Sequence, residues 1–154
     1  MKKMVDLHMH IIPDVDDGSD SIEMSEQMLK MAIEQGVEVV FATSHGAAYR
    51  MNTEYTRHQY RKLQKLVKDK NLPIKLCRGC EVLYDIRNVD SIISDLKYGR
   101  LPTLNGTKYV LTELFYGLGK DVTYYTNQML EKGFIPVIAH AERLGDLSVW
   151  TTFK

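Results

Sequence analysis

Apolar residues fall in short runs separated by charge-rich stretches, and the spacing within the runs alternates between two periods. Residues 4–8 read as a short strand, and after a polar loop residues 22–35 carry Ile22, Met28, Leu29, Ala32 and Ile33 at helical spacing. Asp20 or Ser21 is placed to accept from the first amide N–H groups of that helix, and Gly36 is placed to end it. Residues 37–43 form a β-branched and aromatic run, and 53–69 set Thr56, Tyr60, Leu63 and Val67 on one helical face before Asn71 and Pro73 stop it. A third strand is expected over 74–81, a short helix over 89–96 and a fourth strand over 109–114. A helix over 122–132, with Asp121 before it and Gly133 after it, and a fifth strand over 135–140 complete the pattern. Such alternation builds a parallel sheet covered by helices. The runs 37–42 and 135–139 are nearly continuous in apolar residues, as strands buried on both faces require.

Length decides how much of such an architecture fits. The 154 residues make one domain, 1–154, with no internal repeat or linker. A closed (β/α) barrel typically needs at least ~200 residues. About five βα units fit here, so the expected fold is part of a barrel. Twenty Lys and Arg balance twenty Asp and Glu, which removes the general electrostatic attraction to nucleic acid or anionic membranes. The longest apolar runs are strand-sized, far short of the ~20 residues of a membrane helix, so no membrane insertion is expected. Asp6 interrupts the stretch where a signal peptide would be apolar, and two cysteines make no disulfide framework, so a cytoplasmic location is expected.

The candidate chemistry sits where these strands end. His8 and His10 close the first, His45 follows the second, Glu81 ends the third, Glu113 lies at the end of the fourth and His140 ends the fifth. In parallel α/β folds that edge is where loops converge on one crevice. A lone strand-end histidine is usually only structural, whereas five strands each delivering a metal-type ligand to one edge point to a metal site. His8 and His10 are two apart and so share one strand face. Asp17 adds a carboxylate in the loop 14–18. That loop fails as a calcium loop, because counting from Asp14 puts Gly18 at position 5 and Ser25 at position 12. Cys77 and Cys80 have no second cysteine pair and read as incidental. Four histidines and three carboxylates exceed what one ion uses, implying two or three ions, and the mixed set suits Mn, Fe or Zn better than Mg or Ca. Three divalent ions on three carboxylates would leave about +3, a charge suited to a phosphate ester. Arg143, three residues after His140, is placed to fork onto the phosphate, the alternative being a surface pair with Glu142.

Seven segments carry a resemblance: Asp6-Leu7-His8-Met9-His10, Asp14-Val15-Asp16-Asp17-Gly18, Thr43-Ser44-His45, Gly79-Cys80-Glu81, Leu101-Pro102-Thr103-Leu104-Asn105, Leu111-Thr112-Glu113 and Ile138-Ala139-His140-Ala141-Glu142-Arg143. In order and spacing the chain resembles the manganese-dependent tyrosine-protein phosphatases of bacterial capsule and exopolysaccharide loci. These are the CpsB/CapC group of the polymerase and histidinol phosphatase (PHP) superfamily. The resemblance implies a distorted (β/α)7 TIM-like barrel with a site for up to three Mn2+ ions. His8 and His10 would hold one ion, Asp17 and His45 another, Glu113 and His140 a third, with Glu81 bridging. It further implies Glu81 and Arg143 as catalytic residues, phosphotyrosine protein as substrate and a bacterial tyrosine kinase as partner. Family members are longer and draw one more Asp and one more His from later strands. Residues 147–154 offer no such ligand, so the chain is expected to be truncated, with an apolar strand edge open to self-association. Two other readings share part of the pattern: an amidohydrolase-type metal hydrolase, and an inactive fragment that keeps metal or partner binding.

Overall fold

The computed structural model describes residues 4–84, 88–114 and 122–144. Six strands, β1 (Met4–Met9), β2 (Val37–Ala42), β3 (Lys75–Arg78), β4 (Glu81–Tyr84), β5 (Tyr109–Leu114) and β6 (Ile135–Ile138), are all parallel to their neighbours. They form two three-stranded sheets, ordered β1-β2-β3 and β4-β5-β6. Helices α1 (Ile22–Glu34), α2 (Gly46–Met51), α3 (Thr53–Asp69), α4 (Val89–Lys97) and α5 (Val122–Glu131) cover them. The strands follow chain order, the arrangement expected of successive βα units; among the described residues β1 and β3 are the edges of the first sheet and β4 and β6 those of the second. No helix among the described residues is long and apolar enough to cross a membrane.

The amphipathic patterns settle as their spacing dictates. Ser21 caps α1 by accepting from the Met24 N–H at 3.1 Å, and Gly36, at φ 89°, follows its end. Thr56, Tyr60 and Leu63 form the buried face of α3, whose N-terminus is capped by Asn52. Leu29 and Leu63 meet Val40 of β2 in one continuous core that runs on through Val82, Ile92 and Val110. Asp121 lies outside the described residues, as does the 147–154 tail.

The expected strand over 74–81 is two strands. It breaks at Gly79, where a Cβ would sit 2.9 Å from Leu104 Cδ2 and 3.1 Å from Thr43 Cγ2. Only a residue without a side chain lets the backbone pass that close, and the chain bends there. Across the break, Gly79 N–H donates to Ala42 O at 3.0 Å and Glu81 N–H donates to Ser44 O at 3.1 Å. A single parallel bridge between His45 and Glu81 then joins the two sheets. Glu81 therefore opens β4 instead of ending β3. The strand expected over 135–140 stops at Ile138, because His140 adopts a left-handed φ of 51° and turns the chain. Helix α2, six residues long, was not part of the expected pattern.

Candidate metal centre

His8 lies in β1 and His10 directly follows it, and the strand period brings both rings to one side with their Nε2 atoms 3.1 Å apart. The loop after them folds back on His10. Ser19 N–H donates to His10 O at 3.1 Å and Asp14 N–H donates to Ser19 O at 2.8 Å. A Cβ on Gly18 would come within 2.2 Å of the His10 carbonyl oxygen, so the loop closes this tightly only with glycine there. The Tyr55 hydroxyl on α3 donates to Asp14, and Gln59 Nε2 donates to the Tyr55 oxygen at 2.7 Å, tying the loop to the helix layer.

Glu81 is the centre of the site. Its side chain is 1% exposed, yet it meets four imidazoles. Oε1 lies 2.8 Å from His140 Nε2, while Oε2 lies 3.1 Å from His10 Nε2, 3.2 Å from His45 Nδ1 and 3.4 Å from His8 Nε2. Asp17, 79% exposed, reaches in from the loop to place Oδ1 3.3 Å from His45 Nε2. Glu113 on β5 completes a group with His45 and Glu81, and the Arg143 guanidinium lies 4.0 Å from its carboxylate. Three sets of ligand atoms each lie within 4.8 Å of one another: His8, His10 and Glu81; His10, Asp17 and His45; His45, Glu81 and Glu113. A buried carboxylate ringed by imidazole nitrogens, two of them facing each other, fits divalent ions of the Mn, Fe or Zn type. Residues 4–151 match the family described as capsular polysaccharide synthesis, CpsB/CapC. The chain belongs to the CpsB/CapC family.

Relatives within the CpsB/CapC family agree. The chain is 35% identical to CapC of Staphylococcus aureus over 144 residues, covering 91% of this chain and 54% of that protein. It is 34% identical to the tyrosine-protein phosphatase YwqE of Bacillus subtilis, covering 91% of this chain and 55% of YwqE. The crystal structures of YwqE from Bacillus subtilis and CpsB from Streptococcus pneumoniae, described as unique metal-dependent tyrosine phosphatases, include a match with a TM-score of 0.75 and 30% identity, covering 94% of this chain and 58% of the matched one. The chain thus spans little more than half the length of these relatives.

The seven residues singled out in the sequence of this CpsB/CapC member lie around Glu81; Glu113 groups with His45 and Glu81, while His140 meets Glu81 and joins none of the three sets. Asp16 is the functional residue that sequence reasoning missed. Its side chain is 5% exposed, and its Oδ2 lies 3.0 Å from His10 Nδ1 and accepts from the His45 backbone N–H at 2.8 Å. If His10 donates Nδ1–H to this buried carboxylate, Nε2, turned toward His8 and Glu81, is the nitrogen left to hold an ion. Two neighbouring aspartates thus divide the work. Asp16 is buried against the His10 ring, and the exposed Asp17 places Oδ1 between His10 Nδ1, at 3.5 Å, and His45 Nε2. The only advance signal was the doubled Asp16-Asp17.

Charge follows from these contacts. Hydrogen bonds to Asp16 and then Glu81 raise His10 from 6.5 to about 10 against the opposing effect of burial, so without bound metal its ring is an imidazolium at neutral pH. Burial pushes Glu81 upward, but the hydrogen bonds from His10 and His8 outweigh it and hold the carboxyl well below its usual range. Asp16 is also lowered: burial opposes ionisation, and the His10 and His45 hydrogen bonds overcome it. Both cysteines are unpaired and buried; burial raises the Cys80 thiol, which donates to Pro102 O, so it packs as a neutral group.

Proposed function

We propose that this chain carries much of the active centre of a metal-dependent protein-tyrosine phosphatase, which hydrolyses phosphotyrosine on proteins of capsule or exopolysaccharide synthesis. The observation that carries this reading is the Glu81 carboxylate, buried at 1% exposure with four imidazoles around it. Nothing in hydrophobic packing calls for such a cluster. The family membership supplies the reaction class.

The ligand assignment pairs His8 with His10, Asp17 with His45, and Glu113 with His140, with Glu81 bridging. The hold of Asp16 on His10 Nδ1 supports the first pair, because it turns His10 Nε2 toward His8 and Glu81; the contact of Asp17 with His45 Nε2 supports the second. Mn2+ is the proposed ion, with Fe, Zn or Mg as outcomes of the metal analysis. Bound there, divalent ions supply Lewis acidity toward a phosphoryl oxygen and lower the pKa of a water that becomes the nucleophile. The protein supplies the rest. Glu81 turns Oε1 to His140 and Oε2 to His8, His10 and His45, and its charge would offset the repulsion between cations held by these residues. Arg143, exposed beside Glu113, offers two parallel N–H donors to a phosphate dianion and so orients the ester. Gly18 and the Asp14–Tyr55 bond hold the ligand loop shut against His10.

The same reading places the protein in the cytoplasm with a bacterial tyrosine kinase as phosphoprotein partner, and extends the strand order seen here toward a (β/α)7 barrel. Met4, Val5 and Leu7 of the outer strand β1 are exposed, which supports association of copies through the sheet edges; sedimentation velocity reads this directly. The deciding experiment for the function combines elemental analysis with turnover of a phosphotyrosine peptide in added manganese. Turnover that chelator abolishes and His8→Ala removes is the expected result. Equal turnover in chelator refutes the metal role, and turnover of amide or carboxylic ester substrates in place of phosphate esters refutes the phosphatase.

A further inference from the structure

Helix α2 joins the metal centre to a second kind of chemistry. His45 stands at its N-terminal boundary, and Arg50 occupies its last turn. Arg50 Nη2 donates to Ser91 Oγ at 2.8 Å and pairs with Asp95 Oδ2 of α4 at 2.6 Å. The other oxygen of Asp95 takes Arg100 Nε at 2.5 Å, and Arg100 also reaches Ser94 Oγ at 3.1 Å while lying 5.4 Å from the centre of the Tyr98 ring. Arg57 of α3 completes the row, donating to Gly99 O at 3.1 Å beside Arg100 and to Glu54 at 3.1 Å. Two guanidiniums thus share one carboxylate. Arg50, Arg57 and Arg100 remain 37%, 34% and 52% exposed, and each guanidinium has five N–H donors, more than these contacts consume.

We propose that Arg50, Arg57 and Arg100 form a dock for acidic side chains flanking the phosphotyrosine of a substrate protein. This rests on the phosphatase reading and deepens it. Guanidiniums held in fixed positions by a shared aspartate, two serines and a backbone carbonyl are pre-organised to receive carboxylates in forked geometry. The placement sets a register. From His45 to Arg50 is five residues, about 7.5 Å of helix rise. An extended peptide advances roughly 3.3 Å per residue. With the reach of an arginine side chain added, the acid that meets the dock stands two to four residues from the phosphotyrosine. The dock therefore reads the peptide around the reacting residue, leaving the phosphate itself to the metal ligands and Arg143.

The test is binding, measured by fluorescence anisotropy on the manganese-loaded chain. The probes are peptides carrying a non-hydrolysable difluorophosphonate analogue of phosphotyrosine, with Glu or Gln at positions two to four residues away on either side. The Glu peptide is expected to bind about tenfold more tightly than the Gln peptide, the scale of a charge-assisted contact, and the advantage should shrink as salt rises. In Arg57→Gln and in Arg100→Gln the ratio should fall to about threefold or less. Equal affinities for the two peptides, or a ratio that neither salt nor either substitution reduces, overturns the dock. The salt series on the unsubstituted chain decides even if a variant fails to fold. Turnover of p-nitrophenyl phosphate by the unsubstituted chain reads the phosphatase function independently. Its absence would overturn that function, while the affinity ratio, which needs no turnover, would still decide the dock.

Discussion

Replacing Glu81 by Gln keeps the volume of the side chain and removes its charge, so it isolates what the buried carboxylate does. Glu81 belongs to two of the three candidate ligand sets, and without it these shrink to His8 with His10 and to His45 with Glu113. Two ligands hold a divalent ion poorly, and the new amide turns an N–H donor toward rings that were donating to oxygen. Metal content should fall by more than one equivalent per chain. Glu113→Gln, which touches one set only, should cost at most about one equivalent. The metal-free protein also loses stability, because His10 keeps a raised pKa through Asp16 and Glu81 together, and removing one partner of a buried ionic cluster costs about 3–5 kcal/mol. For a chain of this size that corresponds to a drop in melting temperature of about 6–20 °C. Elemental analysis after gel filtration and calorimetry in chelator measure the two effects. Wild-type metal content in Glu81→Gln would refute the bridging role, and a melting temperature within about 2 °C of wild type would refute the claim that the carboxylate compensates a buried cation.

Asp16→Asn should weaken metal binding by about 10–100-fold, by loosening the His10 ring rather than deleting a ligand, as read by competition with a fluorescent chelator; unchanged affinity would return Asp16 to a purely structural role. Arg143→Lys keeps the charge and loses the fork, so kcat/KM on a phosphotyrosine peptide should fall by about tenfold or more with metal content unchanged, and unaltered kinetics would refute the phosphate contact. The metal-free protein should also lose stability on the alkaline side. His10 is raised from 6.5 to about 10, so its contribution is fully present below about pH 6.5 and disappears as pH rises through about 10. Glu81 and Asp16 are lowered, and their contribution fades in the opposite direction, as pH falls below the ordinary carboxylate range. Calorimetry in chelator should therefore show the melting temperature declining from pH 6.5 to 10; a flat or rising profile contradicts the His10 assignment.

Much of this site was legible in the residues alone, for a physical reason. Ligands of parallel α/β sheets bind at the carboxyl edge of the strands, so His8, His45, Glu113 and His140, at or just past those ends, mark that edge. The strands are nonetheless less covered than their apolar runs suggest, β1 being largely exposed and Glu38 standing exposed within β2. Periodicity fails where backbone geometry is set by a distant neighbour. Nothing local to residues 74–81 announces that Leu104 and Thr43 press on Gly79 and split the strand. Loops have no period at all, so Asp16 and Asp17 look alike on paper. Their burial differs, 5% against 79%, because the turn at Gly18 rolls one inward and the other out. Helix α2 escaped notice because six residues are too few to display an amphipathic repeat.

The junction at Glu81 bears on how the molecule comes apart. His8, His10 and His45 belong to the first sheet and its extension, Glu113 and His140 to the second, and the two sheets, which share one core, are paired at the site by the bridge between His45 and Glu81. Ions bound by ligands from both sides would rivet that seam. A ligand present at 100 times its dissociation constant adds about 2.7 kcal/mol to the folded state, and here that energy would be placed across the junction between the sheets. A loaded chain would hold its two sheets together more firmly than a stripped one.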